Sequence, residues 1–243
     1  MTLSGKTILI TGAAKRIGRS LALTVARAGA DVIIHFGNSR KDAESAQSEI
    51  QALGRKAFLL QADLADPIQA AGLMARAREF GSVSALVNNA AIFEPLSWDN
   101  CNLDDWNEHL MINLTVPFLL SQAFARSTEP KGNRRIINLL DWRAERPGPD
   151  HLPYTISKAA LAALTRSLAV ALAPDVTVNG LALGAVLPAN ASDGKTADDI
   201  LDQIPAHRWA DMEEVGEALL FLLDGPTYIT GEIIHVDGGR HLL

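Results

Sequence analysis

Seven short apolar runs alternate with longer amphipathic segments along the 243-residue chain. The runs are rich in Ile, Leu and Val and occupy residues 6–11, 31–36, 56–61, 85–89, 135–140, 176–183 and 232–236. Most are continuously apolar instead of alternating with polar residues, which is typical of strands buried on both faces of a parallel sheet. The pattern therefore predicts seven parallel strands.

The segments between the runs have helical length and periodicity. They lie near residues 17–28, 42–53, 67–79, 104–126, 154–172 and 211–223. Strand and helix in repeated alternation predict a doubly wound α/β fold, and right-handed crossovers place helices on both faces of the sheet. No linker divides the chain, so we expect one domain over residues 1–243. The irregular stretch 184–199, rich in Gly, Ala, Asn and Asp, predicts a substrate lid near 184–205.

Composition narrows the class of partner. The net charge is −6 and the pI is near 5.5, which disfavours nucleic acid or an acidic membrane surface as partner. The single cysteine, Cys101, excludes an intrachain disulfide and fits a reducing compartment. The first residues lack a signal-peptide pattern, and the apolar stretch 159–173 is interrupted and too short to span a bilayer. We expect a cytoplasmic protein without a membrane partner.

A pair of glycines follows the first predicted strand. Gly12 stands where the chain must turn, and Gly18 stands where the next helix packs against the strand. Free N–H groups at such a helix start can hold a pyrophosphate. The spacing is not the GxGxxG fingerprint, so a plain strand–turn–helix corner is the alternative.

The end of the second predicted strand indicates which dinucleotide is bound. NAD sites place an acidic residue here for the ribose 2′-hydroxyl, but this chain has no carboxylate before Asp42. Cations and hydrogen-bond donors stand there instead, together with a lysine from the glycine turn: Lys15, His35, Asn38, Ser39 and Arg40. They favour NADP(H) over NAD. The alternative is a solvated basic turn.

Tyr154 and Lys158 are four residues apart, so they share one face of the predicted helix 154–172. A lysine cation close to a phenol favours its ionised form and makes proton exchange near neutral pH practicable. A tyrosine at a helix start with an exposed lysine is the alternative interpretation.

Together with these features, several further motifs resemble the short-chain dehydrogenase/reductase family over nearly the whole chain. The matching pieces are TGAAKRIG (11–18), ADL (62–64), NNA (88–90), Asn113, IINLLD (136–141), YTISK (154–158), VNGLALG (178–184) and ITGEIIHVDGG (229–239). The resemblance implies a Rossmann-like sheet of strand order 3-2-1-4-5-6-7 and hydride transfer at nicotinamide C4. It also implies a homotetramer.

The resemblance assigns roles to residues of this chain. Tyr154 is the acid/base, Lys158 holds the nicotinamide ribose and lowers the pKa of Tyr154, and Asn113 anchors a water of the proton relay. Asp63 lies against the adenine. The cofactor-binding set that the resemblance implies, with the residues above, is Gly12, Lys15, Arg16, Ile17, Gly18, Asp63, Leu64, Asn89, Ala90, Lys158, Gly184 and Val186.

Three positions depart from the family pattern. Asp141, thirteen residues before the tyrosine, replaces a serine that donates to a carbonyl oxygen. An ionised carboxylate only accepts hydrogen bonds, so it suits a substrate with N–H donors or one protonated on nitrogen. Arg16 replaces the middle glycine of the phosphate turn and can reach both phosphate and substrate. Phe93, four residues after Asn89, can cover a flat heteroaromatic substrate.

Asp, Arg and Phe at these places resemble the pteridine reductase and dihydromonapterin/dihydrofolate reductase branch. We therefore predict NADPH-dependent reduction of a C=N bond in a pteridine, with Arg16, Phe93, Asp141 and Tyr154 binding the substrate. A carbonyl reductase and a non-catalytic NADP-sensing domain are the alternatives. Three alternatives also stay open: Asp141 as a turn residue, Phe93 as a core or interface aromatic, and Arg16 as a phosphate ligand alone. The histidines lack metal-ligand spacing, so no metal is predicted.

Overall fold

The computed structural model describes residues 2–126, 134–186 and 197–243. It contains one parallel sheet of seven strands in the order β3-β2-β1-β4-β5-β6-β7. The strands are Thr7–Ile10 (β1), Asp31–Phe36 (β2), Ala57–Gln61 (β3), Ala85–Asn88 (β4), Arg134–Asp141 (β5), Val176–Leu183 (β6) and Ile233–Val236 (β7). The predicted fold class and strand order are confirmed, with strand boundaries within two residues of the apolar runs.

Helices cross between the strands. They are Arg16–Arg27 (α1), Arg40–Ala52 (α2), Pro67–Arg78 (α3), Leu103–Leu110 (α4), Val116–Ala125 (α5), Leu152–Leu172 (α6), Ala197–Leu201 (α7) and Met212–Asp224 (α8). The segment 104–126, predicted as one helix, is interrupted by a π-helical turn, Met111–Thr115. Helix α7 begins inside the stretch predicted to be irregular, and residues 187–196 of the predicted lid lie outside the described residues.

Hydrophobic clusters cover both faces of the sheet. One cluster joins the strands to α1, α2 and α8, with Leu21, Ile50 and Leu219 among its buried residues. A second cluster joins them to α3, α5 and α6, through residues such as Leu73 and Phe124. Strand β6 is buried along its whole length. This two-sided burial is the reason why the strands read as continuous apolar runs.

Helix α6 brings its first turns to the carboxyl end of β5. By length and composition it could also cross a membrane, but a core helix meets the same criterion. Leu161 is buried against β5 and β6, and three further leucines at helical spacing pack against the same clusters: Leu164, Leu168 and Leu172. The leucine stripe thus faces the sheet of its own chain. Ile156 and Val170 of the same helix are exposed.

Candidate active site

The turn after β1 is shaped by glycines and by an asparagine that directly follows β4. Gly12 has φ of +64°, and a Cβ on Gly18 would lie 2.2 Å from the carbonyl oxygen of Gly12. The side-chain amide of Asn89 donates to the carbonyl oxygens of Thr11 (2.8 Å) and Gly12 (3.2 Å). Only glycine fits at position 18, because a Cβ would collide with the carbonyl oxygen of Gly12. The missing side chain lets the first turn of α1 pack directly against the turn after β1.

Arg16 begins α1 with φ of +50°, in the left-handed region. A side chain there costs about 1–3 kcal/mol of backbone strain, a cost that glycine would not carry. The arginine lines the same cleft as Phe93, Asp141 and Tyr154. The structure therefore brings it to the substrate side as well as to the phosphate turn.

His35 lies beneath the turn and not on the surface. Its Nδ1 accepts from the backbone N–H of Gly12 (3.1 Å), so Nε2 carries the proton and donates to the carbonyl of Ala62 (3.2 Å). Burial lowers its pKa from 6.5 to about 4, against the opposing effect of the Ala62 bond. The prediction that His35 contacts the cofactor is corrected here, since both ring nitrogens hold backbone groups and position the turn.

The other predicted phosphate ligands gather at the end of β2. Ser39 caps α2 without a side-chain capping bond, and Asn38 is exposed beside it. The Lys15 ammonium lies 3.1 Å from Asp42. Arg40 stacks over Phe36 with Cζ 5.4 Å from the ring centroid. Two cations are thus held at the place where the sequence predicts a 2′-phosphate.

The remaining predicted cofactor residues lie along the same carboxyl edge of the sheet. Asp63 is exposed after β3, whereas Leu64 is buried. Ala90 donates its N–H to the Thr11 hydroxyl (3.0 Å). Ile17 borders the cleft. Gly184 passes so close to Asp237 that a Cβ on the glycine would lie 2.6 Å from the Cα of Asp237, and Val186 is buried.

Tyr154 and Asp141 form a hydrogen-bonded pair at the reacting end. The phenol, 7% exposed, donates to Oδ2 of Asp141 at 3.0 Å. Oδ1 of Asp141 accepts from the backbone N–H of Arg143 at 2.9 Å. Burial raises the pKa of Asp141, and the bonds from Arg143 and Tyr154 oppose that rise. Burial and then the Asp141 charge raise the pKa of Tyr154 well above its ordinary value.

Lys158 is buried on the same helix, one turn after Tyr154. Its ammonium donates to the carbonyl oxygen of Leu139 at 2.7 Å and lies 5.6 Å from the Tyr154 ring centroid. Burial lowers its pKa from 10.5 to about 8, with Asp141 opposing. The expected lowering of the Tyr154 pKa is corrected here, because burial and the Asp141 carboxylate raise it and outweigh the opposing Arg143 cation. Tyr154 is therefore a proton donor in this state.

Asn113 lies in the π-helical turn between α4 and α5, and π turns are frequent at functional sites. Its side-chain amide is buried and bridges two segments. Oδ1 accepts from the N–H of Ile92 (2.9 Å), and Nδ2 donates to the carbonyl of Ile92 (3.0 Å) and to the Ser157 hydroxyl (3.1 Å). The Asn113 side chain therefore fixes the loop that carries Phe93 against the catalytic helix.

Phe93 is 44% exposed and borders the cleft. Its ring stacks on His151 with centroids 3.9 Å apart and lies edge-on to Tyr154 at 4.6 Å. Arg143 binds Asp150 with two hydrogen bonds of 2.6 and 3.2 Å. Burial opposes ionisation of Asp150, but the Arg143 bond outweighs it and lowers the pKa to about 2. These contacts hold the aromatic ring beside the proton donor.

A cleft of about 440 Å³ joins the two ends of the site. Its lining runs from the glycine turn to the phenol: Gly12, Lys15, Arg16, Ile17, Gly18, Asn89, Ala90, Ala91, Phe93, Asp141 and Tyr154. The turn between Gly12 and Gly18 and the N-terminus of α1 fit a pyrophosphate at one end. The acid/base pair lies at the other end, so the residues present fit a dinucleotide.

The comparisons with known proteins agree with this geometry. Residues 12–241 match the family model described as enoyl-(acyl carrier protein) reductase. The chain is a short-chain dehydrogenase/reductase. Gluconate 5-dehydrogenase of Gluconobacter oxydans is 32% identical over 98% of this reductase and 95% of its own length. The 3-oxoacyl-[acyl-carrier-protein] reductase of Staphylococcus epidermidis is 32% identical over 98% of this chain and 99% of its own length.

Solved structures resemble this short-chain dehydrogenase/reductase over its whole length. FolM alternative dihydrofolate reductase 1 of Brucella canis, complexed with NADP, has a TM-score of 0.91 and 30% identity and covers 100% of this chain and 97% of its own. A short-chain dehydrogenase of Burkholderia cenocepacia, also with NADP, has a TM-score of 0.92 and 34% identity, with 99% of each chain covered.

Sequence reasoning missed several residues of this reductase's site. Arg143 and Asp150 pair across a loop whose shape no periodicity reveals. His151, with φ of +53°, caps α6 and backs Phe93. Ser157 could have been predicted as a site residue, because it lies one turn after Tyr154 on the predicted helix and therefore faces the same side.

Proposed function

We propose that this short-chain dehydrogenase/reductase reduces a C=N bond of a pteridine of the dihydropterin or dihydrofolate type. NADP(H) is the cofactor. The observation that carries the proposal is the hydrogen bond from the Tyr154 phenol to the Asp141 carboxylate. A carboxylate at this position repels a ketone oxygen but suits a substrate whose nitrogen takes up a proton.

The chain's own residues define where the cofactor is held. The glycine turn offers backbone N–H groups at the start of α1, and Lys15, Ser39 and Arg40 suit the 2′-phosphate. Lys158 would hold the nicotinamide ribose. When bound, NADPH supplies the hydride that adds to the carbon of the C=N bond.

Proton delivery depends on the direction of the Asp141–Tyr154 hydrogen bond. While Asp141 is ionised, the phenol donates to it and its proton points away from the substrate. When Asp141 is protonated, its O–H donates to the phenol oxygen, and the Tyr154 proton turns to the substrate nitrogen. Burial raises the pKa of Asp141 and so favours its protonated form relative to an exposed aspartate. Solvent then restores the proton to the pair.

The walls of the cleft suit a flat, acceptor-rich ring. Phe93 supports stacking, because its ring is held in place by His151. Arg16 offers planar donors to ring oxygen or nitrogen atoms. Asp141 accepts from amino groups of the pterin edge while it is ionised. The name of the Brucella canis neighbour, an alternative dihydrofolate reductase, supports this substrate class.

A carbonyl reductase is the second candidate. It is favoured by the names of two relatives, a gluconate 5-dehydrogenase and a 3-oxoacyl-[acyl-carrier-protein] reductase. In that case Asp141 would only tune the proton donor Tyr154, and the substrate would present a ketone oxygen to the pair.

The test compares NADPH oxidation with dihydrobiopterin, dihydromonapterin and dihydrofolate against 3-oxoacyl and simple ketone substrates. We expect turnover of at least one dihydropterin and little with ketones. In the Asp141→Ser variant, pterin turnover should fall by about 10²–10⁴, while ketone turnover survives or rises. Turnover of ketones alone by the unaltered enzyme would refute the pterin assignment.

A further inference from the structure

The C-terminal residues fold back against the turn that carries Asp141. They form a 3₁₀ turn, Arg240–Leu242, after Gly239, which has φ of +87°. Asp237 holds this turn, because Oδ1 accepts from the N–H of Gly239 (3.0 Å) and Oδ2 accepts from the N–H of His241 (2.8 Å). The segment is therefore fixed by its own hydrogen bonds and not only by packing.

Arg240 extends from this turn onto Trp142, the residue after Asp141. Its Cζ lies 4.0 Å from the indole centroid, and Arg143 lies 5.2 Å from the same ring. Nη2 of Arg240 donates to Oε1 of Gln203 at 3.0 Å, and the side chain is buried. A cation–π contact that is withdrawn from water is stronger than one at an exposed site. Arg240 thus fixes the indole next to the carboxylate.

A second contact ties the same two segments together. Nε of Arg146 donates to the carbonyl oxygen of His241 at 2.8 Å. Burial and the Arg143 cation lower the pKa of Arg240, and Asp141 is the first of the carboxylates that oppose them. Because its guanidinium stacks on Trp142, the residue that follows Asp141, the Arg240 charge lies in the neighbourhood of the carboxylate.

Charged and titratable groups face Asp141 from three elements. They are the Tyr154 hydroxyl and Lys158 ammonium of α6, Arg143 of its own turn, and Arg240 of the C-terminal turn. We propose that Arg240 is a positioning residue of the reaction, which orients Asp141 through Trp142 and favours the ionised carboxylate by its charge. This inference rests on the proposed proton delivery by Asp141 and Tyr154.

The experiment compares Arg240→Met with Arg240→Lys in the pH profile of kcat. Methionine removes both the charge and the planar stack. Because less positive charge then faces Asp141, its pKa rises, and the loss of activity toward high pH should move to higher pH. Misplacement of the carboxylate should lower kcat by about 10-fold to 100-fold, with KM for NADPH unchanged. Lysine should restore the pH profile but not kcat.

Arg208→Met is the matched control. Arg208 also lies close to the carboxyl end of β7, but it is paired with Glu214 at 2.6 Å, whereas the cations that lie over Trp142 are Arg143 and Arg240. Its loss should leave the pH profile in place. Trp142→Phe keeps an aromatic partner for Arg240 and gives a second variant, expected to retain the wild-type profile with a smaller drop in kcat.

A readout without turnover is the ¹³Cγ NMR titration of Asp141, assigned by the loss of its signal in Asp141→Asn. Arg240→Met should raise its midpoint. A variant with lower thermal stability but the wild-type midpoint and pH profile would reduce Arg240 to a structural role and overturn the inference. If the unaltered enzyme reduces ketones and no dihydropterin, the proposed function fails separately, and the same NMR titration still decides the role of Arg240.

Discussion

Replacing Lys158 by methionine should stabilise the protein while it abolishes activity. The lysine is buried and its pKa is lowered from 10.5 to about 8. A base with a lowered folded-state pKa is destabilising wherever its charged form must be kept inside the fold. The penalty is complete below pH about 8 and is relieved as the pH rises from about 8 toward 10.5.

The magnitude follows from the shift. The difference of 2.5 pKa units, 10.5 minus 8, corresponds to about 3 kcal/mol at neutral pH. Methionine removes this penalty but leaves the carbonyl of Leu139 without the Lys158 hydrogen bond, which costs about 1 kcal/mol. The variant should therefore be more stable at pH 7 by about 2 kcal/mol, and this advantage should shrink to near zero by pH about 9.5.

Urea unfolding at both pH values, without cofactor, measures the difference. Lys56→Met at an exposed lysine serves as the control and should change stability by less than about 0.5 kcal/mol at either pH. The reasoning would be refuted if Lys158→Met were less stable than wild type at pH 7, or if its free energy of unfolding differed from that of wild type by the same amount at both pH values. NADPH oxidation by the variant should be undetectable.

Three further predictions concern other parts of the site. Asp141→Asn keeps an acceptor for the N–H of Arg143 but has no transferable proton, so kcat for pterin reduction should fall by about 10²–10⁴. The kcat of this variant should also no longer decline toward high pH, and a pH profile of kcat identical to that of wild type would contradict the prediction. Gly18→Ala places a Cβ 2.2 Å from the carbonyl oxygen of Gly12, so the affinity for NADPH, measured by fluorescence titration, should fall at least about 10-fold, and the free energy of unfolding should fall by about 1–3 kcal/mol. The control Gly72→Ala adds a Cβ in open space and should leave stability unchanged or raise it. The free energy of unfolding of wild type should fall by about 3 kcal/mol as the pH falls from 6.5 to about 4, where His35 becomes protonated in the folded protein. Urea unfolding of His35→Gln should not show this decrease.

The fold could be predicted from the sequence because burial on both faces makes the strands of a parallel sheet apolar throughout. The same logic failed for 104–126, where apolar periodicity continues through the π turn around Asn113. A single extra residue in a helical turn changes the hydrogen bonding without breaking the hydrophobic pattern. The loop contacts of Arg143 with Asp150 had no periodic signal at all.

The candidate site was predictable where function is fixed by local spacing. Tyr154 and Lys158 are neighbours on one helix, and Gly12 and Gly18 flank one turn, so spacing alone brings each pair together. His35 was misplaced because a histidine at a strand end gives no sign of whether it faces solvent or the core. The direction of the Tyr154 pKa depends on burial and on Asp141 in three dimensions, which spacing does not reveal.

The two oxygens of Asp141 have separate tasks. Oδ1 accepts the N–H that closes the turn after β5, and only Oδ2 faces the phenol. A shorter residue with one oxygen can keep the first task and drop the second, because the backbone needs only a single acceptor there. Exchange of Asp141 for serine thus requires no change of main-chain path, and it alters only the group that the phenol of Tyr154 meets.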